Sequence, residues 1–275
     1  NGIIRSMFRR EINIIKSNSF FLFGPRGSGK STLIREQFPP TDRFDVDLLD
    51  PLQLEEALIG LPTLVAKIRQ AASQKPWIFI DEVQKAPKIL DLVQSLIDQK
   101  QAKFILTGSS ARKLKRGGAN LLAGRAYSFF LHPLTAWELG PHFDLLSFLK
   151  FGGLPHVWNT ETDIERVHYL RTYVSTYLKE EIAEEQIVRK LEPFARFLQV
   201  AAQTSGQVVN FSNIAQDVGV SDQTIKTYFQ ILEDTLLGFF LPAYGRSIRK
   251  AQGKAPKFYL FDTGVLRALL RTVDQ

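Results

Sequence analysis

Short apolar runs alternate with longer amphipathic stretches through the first 131 residues of the chain. The runs have the length of strands, and the stretches between them have the periodicity of helices. Strand and helix signals that alternate in this way predict an α/β fold, with a mostly parallel sheet covered by helices on both faces. The predicted strands are FFLF (20–23), FDVDLL (44–49), WIFI (77–80), KFILT (103–107) and YSFFL (127–131). The predicted helices cover 30–38, 52–74, 87–100 and 110–123.

Beyond residue 131 the strand signals give way to helical ones. The turn-rich connector HPLTAWELG predicts a domain boundary near 133–140. Residues 143–151 and 163–202 have helical periodicity, which we expect to be broken at GGLP (152–155) and at Pro193. The predicted organisation is a sheet-containing domain at 1–135, a helical lid or connector at 136–205 and a third domain at 206–275.

The stretch FSNIAQDVGVSDQTIKTYFQILED (211–234) has the pattern of two short helices joined by a turn. Gly219 suits the turn, and Ser221 suits the N-cap of the second helix. Apolar residues at helical spacing form the inward face, namely Ile214, Ala215, Val218, Ile225, Phe229 and Leu232. This is a helix-turn-helix pattern, preceded by a short predicted strand, VVNF (208–211).

The segment AYGRSIRKAQGKAPKFYLF (243–261) predicts a hairpin with a basic tip, which completes a winged-helix interpretation. The residues expected to meet DNA bases lie outward near the start of the second helix, namely Gln223, Thr224, Lys226 and Thr227. Phosphate contacts are expected from Arg246, Arg249, Lys250, Lys254 and Lys257. Winged helices also bind proteins, and residues 211–275 carry eight basic and six acidic residues, so their net charge is only +2.

Composition limits the environment and the partners of the chain. Cysteine is absent, which excludes disulfides and cysteine-ligated zinc, and the four histidines have no metal-ligand spacing. We find neither an apolar run long enough for a membrane span nor a signal-peptide pattern, so we expect a cytoplasmic protein without membrane association. The net charge of +7 favours an anionic partner such as a nucleic acid. Residues 100–125 hold seven Lys or Arg and no acid, which fits either a solvated loop or a phosphate-facing one.

A glycine-rich loop follows the first predicted strand and matches the pattern G-x-x-x-x-G-K-[ST]. Its glycines let backbone N–H groups surround phosphate oxygens, and the helix that follows directs its positive end at the anion. Lys30 is placed to reach the β- and γ-phosphates, and Ser31 to offer its hydroxyl to magnesium. The sequence therefore predicts a P-loop that binds ATP and Mg²⁺. Its expected nucleotide ligands are Gly24, Pro25, Arg26, Gly27, Ser28, Gly29, Lys30, Ser31 and Thr32.

Two adjacent acids end the third predicted strand, in PWIFIDEVQ (76–84). Asp81 can hold the magnesium ion, and Glu82 can orient or deprotonate the water that attacks the γ-phosphate. Thr107 or Ser109, at the edge of the next strand, can hydrogen-bond the γ-phosphate or that water. Arg125 is a candidate to stabilise the transition-state charge, in its own chain or in a neighbouring subunit, and Arg112 and Arg116 compete for this role.

Five motifs together resemble the large prokaryotic family of predicted AAA+ ATPases: GPRGSGKST, IFIDEVQKAP, FILTGSSARKL, GRAYSFFLHPLTAWE and FGGLP. The resemblance implies the AAA+ (ASCE-type) strand order, the roles given above to Lys30, Ser31, Asp81 and Glu82, and a sensor at 107–109. It also implies subunit association, without fixing a number. Family members often continue into a restriction-endonuclease-like domain. This chain shows no such acidic motif, so nuclease activity is not carried over from the family.

Two functions from different classes remain open at this stage. The first is a Mg²⁺-dependent ATPase coupled to DNA through the winged helix. The second is a slowly hydrolysing nucleotide switch whose winged helix recognises DNA or a protein partner. No sensor arginine is evident in the helices after GGLP. The last residues, KFYLFDTGVLRALLRTVDQ (257–275), read as the opening of a further strand and helix, so we expect the third domain to continue beyond them.

Overall fold

The computed structural model describes residues 8–109, 122–177, 191–245 and 254–275. The chain divides into two compact units. The first is Arg10–His132, and the second contains Pro133–Gln275 together with the residues before Arg10. The predicted division into three domains, with a further boundary between 205 and 206, stays a prediction.

The first unit is built on a parallel sheet of five strands. Along the sheet the strands lie in the order β2-β3-β4-β1-β5. Their bounds are β1 Ser19–Phe23, β2 Arg43–Asp47, β3 Trp77–Asp81, β4 Lys103–Gly108 and β5 Ala126–Phe130. Every pairing is parallel, so all five carboxyl ends lie at one edge of the sheet. The predicted α/β P-loop fold is confirmed.

Helices cover the sheet because its central strands are apolar on both faces. Every residue of β1 is buried, so neither face of that strand meets solvent. On one face, Phe20 and Leu22 of β1 pack in a cluster with Leu33 and Ile34. The described helices of this unit are α1 Lys30–Gln37, α2 Pro51–Leu58, α3 Leu61–Ala72 and α4 Ile89–Asp98.

Two details of the first unit differ from the sequence prediction. The single helix expected over 52–74 is two helices, because the chain turns at Ile59 and Gly60 and Pro62 starts a new first turn. The last strand, β5, lies at the sheet edge and is largely exposed rather than buried on both faces. The helix expected over 110–123 lies almost wholly outside the described residues.

The second unit is helical, with one antiparallel hairpin. A single apolar core runs from Phe151 to Val273 and includes residues from both sides of the predicted 205/206 boundary. Its described helices are α5 Ala136–Leu139, α6 Leu145–Phe151, α7 Pro155–Trp158, α8 Asp163–Thr172, α9 Leu191–Gln203, α10 Phe211–Val218, α11 Asp222–Asp234 and α12 Thr263–Leu269. The hairpin strands are β6 Gly238–Leu241 and β7 Lys257–Leu260.

The predicted helix pair is present as α10 and α11. Gly219 ends α10 with a left-handed φ of 78°, and Ser221 caps α11 by accepting a hydrogen bond from the Thr224 N–H at 3.2 Å. The six residues predicted to form the inward face are all buried. Local sequence therefore determines this pair, through one turn residue, one cap and an apolar stripe.

One prediction for the second unit was wrong. The segment VVNF forms no strand, since only one bridge, between Val208 and Lys257, joins it to the hairpin. Pro193 is the third described residue of α9, and residues 178–190 lie outside the described residues, so the break expected there stays a prediction.

Asp262 ties the GGLP segment to the last helix. Its Oδ1 accepts the Val265 N–H at 2.9 Å and caps α12, while its Oδ2 accepts the Gly153 N–H at 2.7 Å. Burial raises the pKa of Asp262 to about 6, although the surrounding backbone N–H groups oppose that rise. Two motifs more than 100 residues apart thus share one buried carboxyl group.

Candidate functional site

The phosphate loop connects β1 to α1 at the carboxyl edge of the sheet. Gly27 and Gly29 have φ values of 78° and 93°, in the left-handed region that glycine adopts at least cost. Gly24 lies so close to Leu131, the residue after β5, that a Cβ at position 24 would lie 2.3 Å from the Leu131 backbone oxygen. The loop therefore needs glycine for backbone shape at two positions and for close approach at a third.

Lys30 is buried inside this loop. Its ammonium group donates to the backbone oxygens of Gly24 at 2.8 Å and Pro25 at 3.3 Å. The Ser28 hydroxyl is also buried, and no hydrogen-bond partner for it is found among the described residues. A buried cation and a buried hydroxyl lie on one small loop, an arrangement suited to an anion with several oxygens.

Asp81 joins the loop to the sheet. Its Oδ2 accepts the Ser31 hydroxyl at 2.7 Å, and its Oδ1 accepts the Thr107 hydroxyl. The three residues come from α1, β3 and β4, and the parallel sheet brings them to one edge. Thr107 is fully buried, so in the described structure its hydroxyl orients Asp81.

Glu82 follows Asp81 with a φ of 55°, which reverses the chain at the end of β3. A short helical turn, Val83–Lys85, begins there and brings Gln84 back beside Glu82. The Gln84 amide donates to the Glu82 carboxylate and, at 3.1 Å, to the Ser109 hydroxyl oxygen. Lys30, Ser31, Asp81, Glu82, Thr107 and Ser109 are thus all placed at the same sheet edge.

Arg125 is not brought to this edge within the chain. It immediately precedes β5, whose first residue, Ala126, pairs with Ser19 at the start of β1. The strands are parallel, so Arg125 lies at the amino edge, while the phosphate loop lies at the carboxyl edge. Its guanidinium forms a two-pronged ion pair with Asp98, at 2.5 and 3.1 Å, and holds the pKa of that carboxyl group below its usual range. The competing Arg112 and Arg116 lie outside the described residues.

Two residues that support the site, Arg10 and Gln84, are not predicted from the sequence. Arg10 donates to the Ser28 backbone oxygen at 2.7 Å and to the His132 backbone oxygen at 2.6 Å, so it braces the loop from outside its motif. Gln84 lies in the same stretch as the paired acids, PWIFIDEVQ, but the sequence pattern indicates roles only for Asp81 and Glu82. No spacing rule points to Arg10, because it contacts two backbone oxygens that come together only in the fold.

On the helix pair, the predicted base-reading residues lie on the surface or near it. The Thr224 hydroxyl is 2.9 Å from that of Ser221, and the Thr227 hydroxyl donates to the Gln223 backbone oxygen at 2.9 Å. The Lys226 ammonium lies 5.7 Å from the centre of the Phe211 ring. Lys254 and Lys257 are exposed, whereas Arg246, Arg249 and Lys250 lie outside the described residues.

The described residues contain neither a metal-binding cluster nor a membrane-spanning helix. No cluster of three or more His, Cys, Asp or Glu side chains able to hold a metal occurs there. No described helix is both long and apolar enough to cross a membrane.

Comparison with protein families divides the chain close to where the structure does. Residues 16–140 match the model of the AAA domain family. Residues 143–275 match the model of a domain of unknown function, DUF8612.

Curated relatives come from bacteria and an archaeon. An uncharacterized protein of Mycobacterium tuberculosis is 27% identical over 259 residues, which cover 92% of this chain and 56% of that protein. An uncharacterized protein of Methanocaldococcus jannaschii is 23% identical over 258 residues, which cover 84% of this chain and 58% of that protein. The chain therefore spans little more than half the length of these relatives.

Two solved structures are similar at a low level. The Aeropyrum pernix Orc1 protein in complex with DNA has a TM-score of 0.39 and 12% identity, covering 94% of this chain and 87% of that chain. The replication initiator DnaA, bound to AMPPCP and single-stranded DNA, has a TM-score of 0.39 and 13% identity, covering 78% and 82%. These scores are too low to argue from.

The assignment therefore rests on the sheet, the phosphate loop and the family match. The parallel strand order places the loop, Asp81 and Glu82 at one edge, as the motif resemblance implied. Residues 16–140 are similar to the AAA domain family, whose model they match, and they have the α/β fold of a P-loop ATPase.

Proposed function

We propose that the AAA domain binds ATP with Mg²⁺ and hydrolyses it. The observation that carries this proposal is the meeting of the Ser31 hydroxyl and the Asp81 carboxylate, 2.7 Å apart, at the mouth of the phosphate loop. Glu82 stands next to this pair on the same strand end. A triphosphate, its cation and an attacking water require a lysine, a hydroxyl and two carboxylates in this relation.

The residues present fit a magnesium ion. Hydroxyl and carboxylate oxygens are hard ligands, and magnesium commonly uses one or two protein oxygens while phosphates and water supply the rest. Ser31 and Asp81 would hold the ion, which supplies positive charge to the β- and γ-phosphates when bound. Thr107 keeps Asp81 in place through its hydroxyl.

The remaining chemistry belongs to the chain's own side chains. Lys30 would exchange the backbone oxygens that it now contacts for phosphate oxygens. Glu82 would accept a proton from the attacking water or orient it, and Ser109 would donate a hydrogen bond to a γ-phosphate oxygen. Arg125 enters this scheme only from a neighbouring copy, because its own chain places it at the far edge of the sheet.

The test is ATP turnover by the wild-type chain and by Glu82→Gln. We expect the variant to bind Mg·ATP as tightly as wild type by calorimetry, while its kcat falls by about 100- to 1,000-fold because water activation is lost. Equal turnover in both proteins would sink the hydrolysis proposal. Tight ATP binding without turnover in the wild type would support the slow nucleotide switch instead.

We also propose that the second unit binds DNA as a winged helix. Gln223, Thr224, Lys226 and Thr227 would lie toward the major groove, and Arg246, Arg249 and Lys250 would meet phosphates from the hairpin tip. The exposed position of Lys226 on α11 and the hairpin that follows support this. We also propose that copies of the chain associate and that the protein is cytoplasmic.

The DNA proposal is tested by fluorescence anisotropy with a labelled duplex over a range of salt concentrations. We expect affinity to fall steeply as salt rises, because phosphate neutralisation releases counterions. An affinity that does not change between low and moderate salt would contradict phosphate contacts and would favour a protein partner for this unit.

A further inference from the structure

Gln84 lies between the two residues that the proposed reaction uses for water and for the γ-phosphate. Its Nε2 group donates to the Glu82 carboxylate and, at 3.1 Å, to the Ser109 hydroxyl oxygen. Gln84 is only 6% exposed, so these hydrogen bonds form away from competing water. Two side chains from separate strand ends are therefore linked by one amide.

The local backbone is shaped to make this link. Glu82 takes a left-handed φ of 55°, a conformation that a residue with a Cβ adopts only at a cost. The turn that follows is closed by the Lys85 N–H donating to the Glu82 backbone oxygen at 2.9 Å. The reversal brings residue 84 back over the end of β4, where Ser109 lies.

The direction of the amide follows from its neighbours. Both acceptors face Nε2, and turning the amide around would place Oε1 against the Glu82 carboxylate, which is repulsive. In this orientation Oε1 is buried and has no hydrogen-bond partner within the described part of the chain. An apolar side chain would fill the same space without that penalty, so packing alone does not account for a glutamine here.

Gly108 makes room for the unpartnered oxygen. A Cβ at position 108 would lie 2.5 Å from Oε1 of Gln84 and 3.5 Å from its amide carbon. The absence of a side chain at the end of β4 is therefore matched to the position of this amide. Gly108, Ser109 and Gln84 form one packed unit beside Glu82.

We propose that Gln84 is a positioning residue that links the γ-phosphate sensor to the water-activating carboxylate, an inference that rests on the proposed ATP hydrolysis. A serine hydroxyl can accept one hydrogen bond and donate another. Ser109 can therefore donate to a γ-phosphate oxygen while it still accepts from Gln84. The resulting chain runs from phosphate to Ser109, to Gln84 and to Glu82, so the carboxylate is aligned when the γ-phosphate is present.

The first test is steady-state kinetics of Gln84→Ala, with Gln99→Ala as the matched control on an exposed helix end. We expect kcat to fall by about 10- to 100-fold in Gln84→Ala, because small misplacements of a catalytic group cost rates of this size. KM for ATP and ADP affinity should stay within about twofold, because the phosphate loop is untouched. Unchanged kcat with normal ADP binding would overturn the proposal.

The second test moves the amide without removing it. Gly108→Ala should lower kcat about as much as Gln84→Ala does, because the new Cβ displaces Oε1. In the double variant we expect no further loss, since the displaced group is already gone. Full additivity of the two losses, with thermal melts showing both variants folded, would contradict a shared route through Gln84.

A third measurement separates this inference from hydrolysis itself. The Gln84 side-chain amide signal, identified by its loss in Gln84→Ala, is followed by NMR with Mg·ADP and with a non-hydrolysable Mg·ATP analogue. We expect a different chemical shift in the two complexes, and no difference in Ser109→Ala. Identical shifts in the wild type would overturn the link even if ATP is hydrolysed. A clear difference without any turnover would retain the link and refute hydrolysis alone.

Discussion

The phosphate-loop edge of the first unit and the α10–α11 pair of the second unit place their functional side chains in opposite ways. At the loop edge, Asp81 bonds to Ser31 and Thr107, and Gln84 bonds to Ser109; most of these side chains are buried. On the helix pair, the predicted contact residues lie at the surface, and their described hydrogen bonds stay within a few positions along the same helix.

The two regions therefore depend on different kinds of contact. The loop edge depends on residues that are distant in sequence and meet because parallel strands end together, so one substitution disturbs several partners. The helix pair depends on a surface that any short helix with the right cap and apolar stripe can present. We therefore expect large, specific losses at the first region and small, cumulative losses at the second.

The largest effect is expected from Lys30→Ala. Calorimetry should show affinity for Mg·ATP reduced by about 100-fold or more, because a buried ammonium that faces phosphate oxygens is lost. Arg35→Ala removes the same charge from an exposed position of α1 and should bind ATP as wild type does. Equal binding by Lys30→Ala and wild type would place the nucleotide elsewhere.

The second prediction concerns the buried carboxyl group of Asp262 in the second unit. Asp262→Ala removes the acceptor of two backbone N–H groups, so urea denaturation at about pH 4 should show a loss of about 2–4 kcal/mol in the free energy of unfolding. Nucleotide affinity should not change, because Asp262 takes no part in the phosphate loop. A stability equal to wild type would mean that the tie between GGLP and α12 contributes nothing.

Asp262 also predicts a pH dependence. Its folded pKa, about 6, lies above the unfolded value near 3.8, so the folded chain holds more protons between these values. The stabilisation by protonated Asp262 is therefore fully present below about pH 4. The free energy of unfolding falls by about 3 kcal/mol as pH rises through 6. Asp262→Asn cannot titrate in this pH range. The difference in free energy of unfolding between wild type and this variant should therefore decrease from pH 4 to pH 7. A gap that stays constant would contradict the raised pKa.

The smallest effect is expected from Lys226→Ala on α11. If Lys226 contacts DNA, duplex affinity should fall by only about threefold to tenfold, and the slope of log K against log salt should decrease by about one. Lys67→Ala, which removes an exposed charge from the first unit, is the control and should leave both values unchanged. An unchanged affinity and salt slope in Lys226→Ala would exclude a DNA contact at this position.

Much of the fold was predictable because its signals are local. The five strands, the phosphate loop, Gly219 and Ser221 were read from apolar runs, one motif, one turn residue and one cap. The split between α2 and α3 was missed because an apolar stripe continued across Gly60 and Pro62. Arg125 is a candidate from its position just before the last predicted strand, and a parallel sheet puts the residue before a strand at the edge opposite to the loop.

The sequence by itself determined which elements form and which chemistry is available, because strand length, helix period and the glycine-rich loop depend on near neighbours. Only the tertiary structure decided which groups act together. Gln84 reaches Glu82 through a left-handed turn, Arg10 reaches two backbone oxygens far along the chain, and Asp262 joins Gly153 to α12. Such contacts depend on where distant backbone segments meet in space. Local sequence patterns do not specify this spatial proximity.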